Sequence, residues 1–211
     1  MNKGFVHTQL EQLESRQLLS TAAPAYLVPT APGVTIVPLL TTGESAANGY
    51  RMVGIPDGLG AFDNGDGTFT VLMNHELRSA QGIARAHGAK GAFVSKWVIS
   101  KSTGEVLSGQ DQMKKVFLYD PATKSYVNAA FAFNRFCSAD LAAPSAYFNP
   151  ANGMGTKERI FTDGEEFAQG RAMAHVVSTG ESYELPGMAE RVKEEHTDPP
   201  LWFPCFYTLF G

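Results

Sequence analysis

Across residues 34–185 the apolar side chains fall in short runs, separated by clusters of glycine, proline, asparagine, aspartate and serine. This is the pattern of antiparallel strands joined by tight turns. Residues 69–74 follow the turn Asn64-Gly-Asp-Gly67, and residues 97–99 and 105–107 flank Lys101-Ser-Thr-Gly104. Residues 116–119 and 125–127 flank Asp120-Pro-Ala-Thr-Lys124, and a fourth hairpin joins 174–177 to 182–185 through Ser178-Thr-Gly-Glu181. Ser-Thr-Gly-Glu thus occurs twice, each time between two expected strands, which fits either a repeat or good turn chemistry used twice. Several hairpins without a long helix predict an all-β fold, with an open piece of β-propeller preferred over a sandwich.

The chain has 211 residues, 44% hydrophobic and 18% charged, which suits one domain with a real core. Its 21 glycines and 12 prolines are aperiodic and fit a turn-rich protein. The net charge of −4 and the lack of a basic run argue against nucleic acid as a partner. Two cysteines, Cys137 and Cys205, make no disulfide framework.

The ends differ from the body and divide the chain into a tail (1–33), a propeller-like body (34–190) and an atypical C-terminal tail (191–211). Leucines 10, 13, 18 and 19 predict a short amphipathic helix, and charged residues break every apolar window a secretory signal would need. The run Leu13-Glu-Ser-Arg-Gln-Leu-Leu-Ser20 resembles the LEPR-xLL-type motif of exported or surface proteins of planctomycete-type bacteria, with Ser15 where that motif has proline. The aromatic stretch 201–211 contains a proline and is far short of the ~20 residues needed to cross a bilayer, so no transmembrane segment is expected. Its abruptness suggests a chain cut, or read out of frame, inside a larger domain.

Three segments carry candidate chemistry. In the first, Asp57 is expected in a Pro-Asp-Gly turn and Asn74, His75 and Glu76 at a strand end. Alternation sends Asn74 and Glu76 to one face and His75 to the other, so an amide oxygen and a carboxylate can face one hard cation or simply be solvated. Asp63-Asn-Gly-Asp-Gly-Thr68 reads as a hairpin turn, since an EF-hand-type loop would need a later glutamate. In the second, Cys137 is a thiolate ligand, a nucleophile or a small buried hydrophobe; no histidine stands at a recognisable triad spacing. In the third, Asp163, Glu165 and Glu166 form an acidic cluster whose repulsion solvent or a cation must relieve. Arg171 either serves an oxyanion or pairs with one of these glutamates. His75 and His175 belong either to a site or to the core.

Taken in order, Pro56-Asp57-Gly58, Asn74-His75-Glu76, Cys137 and a Gly155-Thr156 strand leading to Glu165-Glu166 resemble the PhoX-type bacterial alkaline phosphatases, over about residues 50–185. Asn-Gly-Met-Gly-Thr and Arg-Phe-Cys-Ser-Ala-Asp stand where better-known members have Thr-Pro-Trp-Gly-Thr and Asn-Cys-Ala-Gly-Gly, which marks a divergent branch. The resemblance implies a six-bladed propeller, here incomplete at the C-terminus, with a cluster of iron and calcium. It implies Glu76, Cys137 and one or both of Glu165 and Glu166 as metal ligands, and a phosphate ester as substrate; beside them Asn74 and Arg171 are candidate substrate-binding groups. It also implies an exported, periplasmic or surface protein. A thiolate selects a transition metal while carboxylates suit iron and calcium alike. The competing expectation is a non-catalytic exported propeller or surface module.

Overall fold

The computed structural model describes residues 25–167, 169–186 and 188. The expected N-terminal helix, the LEPR-like motif and the aromatic stretch 201–211 lie outside the described residues. The described chain is all-β, with one short 3₁₀ turn, Pro144–Tyr147. Among the described residues, no helix is long and apolar enough to cross a membrane.

The first sheet is an antiparallel meander in chain order: β1 (Pro56–Asp63), β2 (Thr68–His75), β3 (Phe93–Ser100) and β4 (Val106–Asp111). β2 and β3 are rich in β-branched and aromatic residues and are buried on both faces. The second sheet contains β5 (Lys115–Asp120), β6 (Ser125–Asn128), β7 (Phe136–Asp140), β10 (Ile160–Glu165), β11 (Ala172–Val176) and β12 (Glu181–Glu184), in spatial order β6-β5-β12-β11-β10-β7. Its pairs are antiparallel except β12 with β5, which run parallel. A two-stranded ribbon, β8 (Phe148–Asn149) with β9 (Met154–Gly155), stands apart.

All four expected hairpins are present. The two Ser-Thr-Gly-Glu turns are built alike: Gly104 N donates to Ser100 O and Gly180 N to Val176 O, both at 2.9 Å. Glu105 N and Glu181 N donate to Thr103 Oγ1 and Thr179 Oγ1, both at 3.2 Å. The segment after Asp63 is a hairpin turn: Asp63 accepts from Gly65 N at 2.7 Å, and Asp66 accepts from Thr68 N at 3.0 Å. Gly65 and Gly67 supply the positive φ that such a turn requires.

Two expectations are corrected. Pro56-Asp57-Gly58 is not a turn but the start of β1, with proline at the first strand position, where its missing N–H is tolerated. Gly58 and Gly60 allow this: a Cβ on either would come within 2.5 Å of Ala139 Cβ or Leu141 Cβ, so glycine lets β1 lie directly on the β7 segment. Nor does a single strand run from Gly155-Thr156 into the glutamate pair, because β9 belongs to the separate ribbon and β10 begins anew at Ile160.

The first sheet is covered on both faces. Leu72, Phe93 and Val94 join Met113, Val116, Phe133, Phe136, Phe161 and Met173 in the core shared with the second sheet. On the opposite face Met73, Trp97, Ile99 and Val106 pack under Ala46 and Met52 of the preceding segment.

Candidate functional site

The site lies where the C-terminal end of β2 meets β7 and the end of β10. Alternation along β2 works as the pattern requires: Asn74 faces β7 and β10, while His75 faces β3, its Nε2 2.9 Å from Ser95 Oγ. Asn74 is fully buried and its amide is saturated. Oδ1 accepts from Gly58 N at 2.7 Å, and Nδ2 donates to Ser138 O at 2.9 Å and to Asp163 Oδ2 at 3.3 Å. This donor and acceptor pattern fixes the orientation of the amide. Asn74 therefore holds backbone together, and the expectation of a substrate-binding Asn74 gives way to that role.

β7 carries a bulge. Its register with β10 moves from Gly164↔Cys137 to Thr162↔Asp140, which places one extra residue in β7 just after Cys137. Ser138 absorbs it at φ 53°, and Arg135 on the other side of Cys137 sits at φ 52°. Non-glycine residues in the left-handed region are strained and persist only where surrounding contacts over-determine them. For Ser138 those contacts are its N–H to Asp57 Oδ2 at 3.2 Å and its carbonyl to Asn74. For Arg135 they are its N–H to Leu77 O at 2.8 Å and its carbonyl accepting from Glu166 N at 2.9 Å. Bulges re-aim side chains, and this one turns the Cys137 thiol toward the acidic groups.

Burial pushes the Cys137 thiol up to about 11, and the carboxylates of Glu166, Asp57 and Glu76 push in the same direction, against a hydrogen bond with Ser138. Without a cation the thiol is protonated at neutral pH, and none of the forces acting on it comes from an imidazole. The cysteine-nucleophile alternative therefore lacks its base. Burial also raises the Glu76 carboxyl, helped by the adjacent carboxyl of Glu166 and by Asp57 and opposed by Arg135. The Arg135 guanidinium lies 3.1 Å from Glu166 and 3.8 Å from Glu76, and Nη2 also donates to Glu166 O at 2.5 Å. It is the cation of this acidic group, and neither glycine spacing nor apolar pattern flags it in the sequence. The Arg135→Ala variant is expected to move the Glu76 titration further upward. Carboxyl-carbon NMR titration checks this, and an unmoved Glu76 would refute the pairing.

Strand alternation separates the neighbouring glutamates. Glu165 turns inward: Oε1 accepts from Asn134 N at 2.7 Å and Oε2 from Arg171 N at 3.1 Å. Burial raises its carboxyl, and these donors together with the Arg171 guanidinium oppose the rise. Gly170 makes this possible, since a Cβ there would collide with the Glu165 backbone. Arg171 itself lies 3.7 Å from Glu165 Oε2 and 3.5 Å from Glu184 Oε1, with its guanidinium over Phe131. Glu165 and Arg171 are thus committed to each other rather than to the Cys137 group, the salt-bridge alternative for Arg171.

A further buried set lies behind Asn74. His175 Nε2 is 2.8 Å from Asp163 Oδ1, and Nδ1 is 2.8 Å from Ser182 Oγ. A neutral imidazole with its proton on Nε2 donates to Asp163 and accepts from Ser182. Despite its Ser-His-Asp composition, this set does not read as hydrolytic, because His175 and Ser182 are both 0% exposed and Ser182 has no access to a substrate. His75 is likewise a core residue, stacked on Phe93 with ring centroids 4.3 Å apart, with the Arg85 guanidinium over the same phenylalanine.

Among the described residues, no three His, Cys, Asp or Glu side chains are placed closely enough to hold a metal ion. Glu76, Cys137, Glu166 and Asp57 are near enough to act on one another electrostatically, with Arg135 among them. Compared with protein-family models, with curated proteins and with solved structures, the chain finds no match.

Proposed function

We propose that this chain contributes one wall of a PhoX-like metal-dependent phosphatase centre, with Glu76, Cys137 and Glu166 as ligands to iron and calcium. One observation carries the reading: segments far apart in sequence bring Asp57, Glu76, Cys137 and Glu166 within electrostatic reach of one another beside a strained bulge. A half-buried thiol beside carboxylates, one of them with a raised pKa, is chemistry that a cation would relieve. The donor types fit iron and calcium, but in this arrangement Arg135 supplies the positive charge and the three side chains are not drawn together, so loading must move its guanidinium aside and close the donors around the metal. Bound metals would clamp phosphoryl oxygens and activate the attacking oxygen. The in-order meander of β1 to β4 supports reading the first sheet as a propeller blade, and the resemblance favours an exported protein.

The test is elemental analysis of the full chain after exposure to Fe²⁺ and Ca²⁺ and exhaustive dialysis, alongside release of phosphate from p-nitrophenyl phosphate. Stoichiometric metal that is lost in Cys137→Ser and in Glu166→Gln is the expected result. Folded protein that retains no metal would overturn the reading. It would favour the non-catalytic exported module, which the Arg135 pairing with Glu76 and Glu166 also supports, since that arrangement is complete without a metal.

A further inference from the structure

We propose that the buried chain Ser182–His175–Asp163–Asn74 is a positioning relay that holds the Cys137 bulge and Asp57 in place. Its significance for a metal centre rests on the reading just given. The relay crosses from β12 through β11 and β10 to β2, and its hydrogen bonds are continuous from Ser182 Oγ to the Asn74 amide. Where it ends is what gives it a purpose. The Asn74 amide grips the two backbone groups adjoining the site, Gly58 N beside Asp57 and Ser138 O beside Cys137.

Stability alone does not explain such a chain. His175 and Ser182 are 0% exposed and Asp163 is 8% exposed, in a region otherwise filled by Phe136, Phe161 and Met173. A buried carboxylate tied into a polar cluster contributes little net stability compared with packed apolar residues, so its presence in this core calls for a geometric reason. The reason on view is Ser138. A serine at φ 53° lacks the freedom glycine would have, and the clamp from Asn74 together with the Asp57 carboxylate holds it there. Asp163 in turn fixes the Asn74 amide, and His175, seated between Phe136 and Phe161 and tied to Ser182, fixes Asp163. These residues touch no reacting group; they act through backbone.

The decisive readout is alkylation of Cys137 by iodoacetamide at a fixed pH in the folded full chain, with Cys205→Ser in every sample so that a single thiol is read. Asn74→Ala and Asp163→Asn are expected to release the bulge and speed alkylation about tenfold or more. Ile99→Ala, which lowers stability from the far side of the first sheet, should leave the rate within about twofold. His175→Gln retains an amide able to donate to Asp163 and should restore most of the protection that His175→Ala loses. Equal rates in the relay variants and in Ile99→Ala would overturn the proposal. If Asn74→Ala fails to fold, Asp163→Asn, close in shape to the native residue, and the contrast between His175→Ala and His175→Gln carry the comparison. Loading with Co²⁺ separates this inference from the metal reading: a near-ultraviolet thiolate band that depends on Cys137 reports the centre, and its absence in the wild-type chain would sink that reading while leaving the alkylation result to decide the relay.

Discussion

Between pH 6.5 and about 4 the protein is expected to lose roughly 3 kcal/mol of stability through His75 alone. Burial is the main reason the imidazole is pushed down to about 4 from 6.5, and the Arg85 guanidinium adds to it. Asp111 opposes the shift, as do the neighbouring backbones of Val53 and Gly54, although Nδ1 meets no hydrogen-bond geometry with them. The sign follows from proton binding. In the window between the two values the unfolded chain takes up a proton that the folded chain refuses, so stability is complete above 6.5, falls as pH drops toward 4, and is flat in this contribution below that. His87, also lowered chiefly by burial, acts in the same direction. The carboxyls of Glu76 and Glu165 are raised and act oppositely in the lower part of the window, so the quantity to measure is a difference. Urea unfolding of wild type and of His75→Gln at half-unit pH steps isolates it; parallel curves through the window would contradict the assignment.

Gly58→Val is the second large effect. A Cβ at this position meets Ala139 Cβ at 2.5 Å, Ser138 C at 2.8 Å and Ala139 N at 2.9 Å, and two of these three are backbone atoms that cannot rotate away. Overpacking of this kind costs about 1–3 kcal/mol, and a branched side chain belongs at the upper end. The displacement falls on one place. Gly58 N is the group held by Asn74, and its neighbour Asp57 accepts from Ser138 N, so pushing β1 off β7 uncouples both at once. Thermal unfolding gives the stability loss, and loss of amide protection at Ser138 by hydrogen exchange gives its location. A variant that keeps wild-type stability and Ser138 protection would show that β1 does not rest on the bulge.

The parts of the fold that could be read from sequence are those where side-chain propensity and turn chemistry agree. β2 and β3 combine β-branched and aromatic residues with Gly-containing turns, and their hairpins stand where the pattern puts them. β1 was hidden because glycine at 58 and 60 reads as a turn, whereas here it serves close approach between backbones. β7 was hidden for a related reason: Phe-Cys-Ser-Ala-Asp has a bulge with serine, not glycine, at the left-handed position. At the site, Glu76 and Glu166 lie near enough to Cys137 to act on its thiol, but the sequence reading left open which of Glu165 and Glu166 would do so. Residue identity could not show that Asn74 and Glu165 are saturated by backbone, since that depends on strands distant in sequence. Arg135 had no signal beyond being a cation near a cysteine. Asp163 and His175 were visible separately, as a member of an acidic cluster and an unassigned histidine, and only the β10–β11 pairing joins them.

The parallel pairing of β5 with β12 bears on how the molecule is made. Every strand of the first sheet pairs with its neighbour in sequence, so that sheet can assemble while the rest of the chain is still being synthesised. The second sheet cannot, because β12 inserts between β5 and β11 after all the intervening strands have been laid down. Until Glu181–Glu184 arrives, β5 and β11 each present an open edge, and the Ser182 end of the buried hydrogen-bond chain does not yet exist. The nascent protein therefore passes through a stage with one finished sheet and one sticky, half-paired one. It is during that interval, more than in the finished fold, that unpaired strand edges are open to association with other chains.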